Sequence, residues 1–107
     1  MEKFIIVKFR FEGVHNWPGC HIEEVDFLKS PHRHMFHVEA MKQVSHDNRE
    51  IEIIRFKREM TSWIEQNYKG NFESMSCEHI ATVLLKMFDL DSCTVLEDGE
   101  NGAMVKK

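Results

Sequence analysis

Three histidines carry the sharpest chemical signal in this 107-residue chain. His32 and His34 stand one residue apart at the head of a predicted strand, and His15 closes the strand before it. Successive side chains of an extended segment point to opposite faces, so positions i and i+2 share a face. Two imidazoles placed that way can hold one metal ion. A third from a neighbouring strand gives three protein ligands and an open fourth position, the arrangement of a catalytic zinc site. The competing reading is a group of partly buried polar histidines near a strand end. The chain has seven histidines, enough for a His-x-His pair to arise by chance.

The elements that must position these residues follow from periodicity. Ile5, Val7, Phe9, Phe11 and His15 share one parity, and Lys8, Arg10 and Glu12 share the other. Residues 4–15 therefore read as a half-buried strand with His15 on the core-facing parity. Residues 16–31 read as a loop, with a turn at Pro18-Gly19, a second break at Pro31, and Ile22, Val25, Phe27 and Leu28 packing locally. Residues 32–45 form a second predicted strand. His32, His34, Phe36, Val38, Ala40 and Val44 share one face; Arg33, Met35, His37, Glu39, Met41 and Gln43 share the other. His37 is thereby separated from the His-x-His pair and reads as a surface or interface residue.

His46-Asp47-Asn48 is a turn signal, and Glu50 to Ile54 alternates as a short third strand. Phe56, Met60, Trp63, Ile64 and Tyr68 recur at helical spacing, which predicts a helix over 56–68 stopped by Gly70. A second helix is predicted over 77–88, with Ser76 as its N-cap and Glu78 suiting the dipole of its first turn. Its stripe of Ile80, Val83, Leu84, Met87 and Phe88 reads as core. Residues 93–97 and 102–105 form two short strands around Asp98-Gly99-Glu100-Asn101-Gly102, which carries two Asx-Gly hairpin signals. This order implies a single α+β domain over residues 1–107, an antiparallel sheet with two helices packed on one face.

Bulk properties narrow the function classes. The net charge is −4, and the one basic cluster, Arg55, Lys57 and Arg58, is diluted by acidic neighbours. A nucleic-acid partner is not expected on electrostatic grounds. No apolar run approaches transmembrane length, so no membrane partner is expected either. The three cysteines, Cys20, Cys77 and Cys93, form no C-x-x-C pair and read as reduced thiols. The apolar run from Phe4 to Val7 is too short for a signal peptide, and the expected compartment is the cytoplasm.

Taken in order, these pieces resemble the 6-pyruvoyltetrahydropterin synthase and 6-carboxytetrahydropterin synthase family of the tunnelling fold. Phe11-Glu12-Gly13-Val14-His15 resembles that family's Phe-x-x-x-His strand end. His32-Arg33-His34 is similar to its His-Gly-His motif, with Arg33 in place of the glycine. Ser76-Cys77-Glu78 resembles the cap before its second helix. Cys93 to Glu97 with Asn101 to Val105 resembles its closing hairpin, whose first strand carries a glutamate. The resemblance covers nearly the whole chain.

It implies zinc ligation by His15, His32 and His34. It also implies that Glu97 anchors the guanidine-like edge of a pterin or purine ring, a task suited to a carboxylate that accepts two parallel N–H bonds. Ser76 and Cys77 would lie near the same ring. The implied reaction is a carbon–oxygen lyase step on a dihydroneopterin triphosphate-like substrate, in a pterin or queuosine-type deazapurine pathway. The implied assembly is a homotrimer or homohexamer whose subunits join their sheets into a barrel and so cover open strand edges. The chain also departs from the family. The catalytic cysteine expected just before the His-x-His pair is replaced by Asp26, Phe27 and Leu28, and the nearest cysteine, Cys20, lies further upstream. Cys20 is the candidate acid/base residue on that account. The family's Asp-His pair between the helices has no counterpart in Gln66 to Ser76. His21 or Cys20 could instead supply a fourth ligand and close a structural zinc site. A binding module that keeps metal and ring recognition without catalysis, or an interaction protein with incidental histidines, are the alternative functions.

Overall fold

A computed structural model describes residues 1–107. Two long strands, β1 (Lys3–His15) and β2 (His32–Val44), are followed by helix α1 (Ile53–Tyr68) and a short strand β3 (Asn71–Glu73). Helix α2 (Cys77–Phe88) and the strands β4 (Ser92–Glu97) and β5 (Asn101–Lys106) complete the chain. The five strands form one sheet in the order β3-β1-β2-β4-β5. All pairings are antiparallel except β1 with β3. The α+β class is thus as the sequence predicts.

The alternation in β1 and β2 sends one parity of each strand into the core. Val7 and Phe9 of β1 meet Phe36, Val38 and Ala40 of β2 and Cys93 and Val95 of β4. Phe56, Met60 and Ile64 of α1 and Ile80, Ala81 and Leu84 of α2 close over them. Helix α1 packs along β1, and α2 lies over β4 and β5. The opposite parity is uncovered and exposes Phe4, Ile6 and Met104. No helix is long and apolar enough to cross a membrane.

Three local expectations are corrected. Residues 50–54 form no strand. Glu52 caps α1 instead, its carboxylate accepting from the Arg55 amide at 2.6 Å, so the helix starts at Ile53. The cap satisfies an amide that the first turn leaves free, and the alternating Ile51 and Ile53 are merely where the chain enters the helix. The third strand lies after α1, at Asn71–Glu73. Lys69 and Gly70 turn the chain there with φ of 49° and 81°. Three residues are too few to show a period, although Phe72 is fully buried beneath β1. The segment between β1 and β2 contains a 3-10 helix, Glu23–Lys29, rather than loop alone. Within it Phe27 is exposed, as is Ile22 just before it, while Val25 and Leu28 are half-buried.

The β4–β5 hairpin matches its signal. Asp98 and Gly99 take φ of 56° and 74°, the left-handed conformation that Asx-Gly favours. The second Asx-Gly pair lies inside β5, where a Cβ on Gly102 would strike the Val95 carbonyl.

Candidate metal centre

The register of the β1–β2 ladder assembles the three histidines. His15 pairs directly with His32, and His34 faces Gly13. Their ligand nitrogens all lie within 4.8 Å of one another. Gly13 is what leaves room beneath them: a Cβ there would come within 2.6 Å of the Phe72 ring and 3.0 Å of Phe36. Phe36 forms the floor, edge-on to His15 at 5.2 Å and to His34 at 5.7 Å between ring centroids. His15 is the one polar residue buried with the core.

Each imidazole is oriented by a hydrogen bond from the nitrogen that faces away from the cluster. His15 Nδ1 donates to the Met75 carbonyl at 2.8 Å, and His32 Nδ1 to the Ser30 carbonyl at 2.9 Å. His34 Nδ1 donates to Asp98 Oδ2 at 2.8 Å. The Met35 amide donates to Asp98 Oδ1 at 3.0 Å. That amide, and then His34, hold the Asp98 carboxyl below its ordinary range, so it is an acceptor. A carbonyl or carboxylate cannot donate. The proton of each neutral ring is therefore assigned to Nδ1, leaving a lone pair on Nε2. Nε2 of His15 and of His34 are buried without a hydrogen-bond partner. Buried polar atoms are seldom left so. Converging, unprotonated nitrogens backed by acceptors are the arrangement in which protein histidines bind metals, and the three residues can hold a metal ion.

A cavity of about 490 Å³ opens beside the cluster, with His15 and His32 on its wall. Trp17, Met75, Ser76, Cys77, Glu97 and Asn101 line it further. A depression of about 530 Å³ near Arg10, His37 and Thr94 contains none of the three histidines, and the chemistry belongs to the first.

Glu97 ends β4 opposite Phe36 and points into the cavity on the core-facing parity. Its Oε2 lies 3.0 Å from His15 Nε2, and its Oε1 lies 3.7 Å from His34 Nε2. Cys77, at the start of α2, is a buried thiol pushed up to about 12 by burial first and then by the charges of Glu97 and Glu78. Ser76 caps α2, its Oγ accepting from the His79 amide at 3.1 Å. The cavity thus brings together all the predicted residues except Cys20 and His34, and His34 reaches it through the cluster. Cys20 is buried within its own loop, its thiol turned toward the carbonyls of Ile22 and Val25 at 3.8 and 3.6 Å, and it does not line the cavity. His21 is exposed, near the Trp17 ring. His37 stands on the opposite face, over Gly99.

Sequence reasoning missed Asp98, Trp17 and the two orienting carbonyls. Asp98 was visible only as a turn former, and a carbonyl has no signature in a sequence. No family model matches this chain, and no curated protein matches it in sequence.

Proposed function

We propose that this protein is a zinc-dependent lyase of the tunnelling-fold type, similar to 6-pyruvoyltetrahydropterin and 6-carboxytetrahydropterin synthases. Its substrate would be dihydroneopterin triphosphate or a close relative. The observation that carries this reading is the clustering of the ligand atoms of His15, His32 and His34 within 4.8 Å of one another, beside a cavity that also holds Glu97. His15, His32 and His34 would hold the zinc, which when bound polarises side-chain oxygens of the substrate. Glu97 would accept the paired N–H groups of the ring edge. Ser76 and Cys77 line the same cavity and would set its width. Trp17 supplies a flat apolar surface at the rim. The exposed apolar residues of the uncovered sheet face, Phe4, Ile6 and Met104, support assembly through that sheet into a trimer or hexamer.

A specific observation favours a second reading, a zinc-containing binding protein without turnover. Cys77 is the only cysteine lining the cavity, and at about 12 its thiol is a poor base at neutral pH. Cys20 points elsewhere.

Metal analysis and substrate incubation test both. The purified chain should carry close to one zinc per protomer, and His34→Ala should lose it; a metal-free protein sinks both readings. Dihydroneopterin triphosphate should then release triphosphate. Ligand that quenches Trp17 fluorescence, with Trp17→Phe as control, but is recovered unaltered establishes the binding protein in place of the lyase.

A further inference from the structure

We propose that Glu97 is itself the fourth ligand of the metal centre when the cavity is empty of substrate. A ring-bearing substrate would have to draw it off the metal. The assignment of the substrate class rests on the function proposed above; the assignment of the ligand rests only on the geometry of the cluster.

The ligand atoms of His15, His32 and His34 lie within 4.8 Å of one another, and the Glu97 carboxylate faces Nε2 of His15 and of His34 at 3.0 and 3.7 Å. A carboxylate oxygen that closes the same cluster is placed to share a metal ion with the rings. With zinc–nitrogen and zinc–oxygen bonds of about 2.0–2.2 Å, the ligand atoms of a tetrahedral site stand about 3.4 Å apart. The two separations seen bracket that value. Both are separations at which ligand atoms can share one ion.

The hairpin supports the same assignment. Glu97 is the last residue of β4, and the chain then turns through left-handed Asp98 and Gly99. Consecutive carboxylates thus serve the centre from two sides. Asp98 holds the outward nitrogen of His34, while Glu97 faces its inward nitrogen. The position of Glu97 is further set by its pairing with Phe36, the floor of the site.

A consequence follows for recognition. One carboxylate cannot both fill the fourth coordination position and accept two parallel N–H bonds from a ring edge. Ring binding therefore exposes the metal position. The metal stays shielded by a protein ligand until the substrate whose oxygens it must polarise has arrived.

The test uses the full chain loaded with cobalt(II), whose visible absorption reports coordination without any turnover. Glu97→Gln should shift the cobalt bands and weaken cobalt and zinc binding more than about tenfold, beyond the lower end of what an outer partner contributes. The melting temperature of the metal-free protein should be unchanged. Glu97→Asp, which keeps the charge but is shorter, should fall between the two and serves if the glutamine variant fails to fold. An unaltered spectrum and affinity in both variants overturns the assignment. Added pterin should shift the spectrum of the unmodified protein. A protein that passes the variant test but ignores pterin keeps Glu97 as a ligand and loses the proposed substrate class.

Discussion

One face of the β1–β2 ladder has two chemically opposite ends. At one end Val7, Phe9, Val38 and Ala40 are buried under the helices. At the other, on the same parity of the same strands, stand His15, His32 and His34. The backbone is continuous, and the pairing has no break between the two ends. What differs is the cover. Helices α1 and α2 bring apolar side chains over the first end and expel water. The second end is roofed only by the segments around Trp17 and Met75 and by the hairpin tip, which leave a cavity beside it. The comparison shows how a binding site is made without altering the strands: the inward parity continues, and the covering layer stops short. Phe36 is the seam, stacked on Phe11 at 5.4 Å and edge-on beneath two of the histidines.

The largest expected effect attacks that seam. Phe36 has no exposed surface, and Phe36→Ala should cost about 3–5 kcal/mol in urea denaturation. Metal affinity should fall with it. A variant that is destabilised yet binds metal as before would show the two ends to be independent. Metal removal acts from the other end. A metal ion that binds only the folded chain, at a free concentration a hundredfold above Kd, should add about 2.7 kcal/mol, and chelation should lower the melting temperature accordingly. No change on chelation would mean that the histidine end takes up no metal.

Asp98→Asn sharpens the comparison further, since it touches only the histidine end. The left-handed turn tolerates asparagine, but the charge behind His34 is lost. Metal affinity should fall about ten- to hundredfold, with the stability of the metal-free chain nearly unchanged. Equilibrium competition with a chromophoric chelator would measure it.

The remaining effect belongs to the apolar end and shows only at alkaline pH. Burial pushes the Cys93 thiol from its ordinary 9.0 up to about 12. The folded chain thus holds this proton after the unfolded chain has released it. The associated stability is complete below pH 9 and drains away as pH rises toward 12. Cys93→Ala should flatten that decline in the urea midpoint, whereas an identical slope would place its origin elsewhere.

Much of this is legible in the sequence. Parity alone placed His15, His32 and His34 on the inward face and His37 on the other, because a strand has only two faces. Helix α2 and the Asp98-Gly99 turn followed from residues whose preferences are local. The short strand Asn71–Glu73 was not legible, since its three residues form a strand only by lying beside β1. The mistaken strand at 50–54 failed for a related reason: apolar alternation over five residues cannot compete with a carboxylate cap and a helix that follows it. Cys20 is the cysteine nearest to the His-x-His pair along the chain, and that nearness says nothing about where its loop buries the thiol.

The sequence by itself determined the alternating strands, the two amphipathic helices, the tight hairpin and the pairing of His32 with His34 on one face of its strand. Each depends on neighbours a few residues apart. Tertiary structure alone decided that Met75 and Asp98 orient the rings of His15 and His34, that Phe72 fills the space which Gly13 leaves, and that Glu97 faces the cluster. These contacts join residues distant in the chain, and only strand register and the packing of the covering segments bring them within hydrogen-bonding reach.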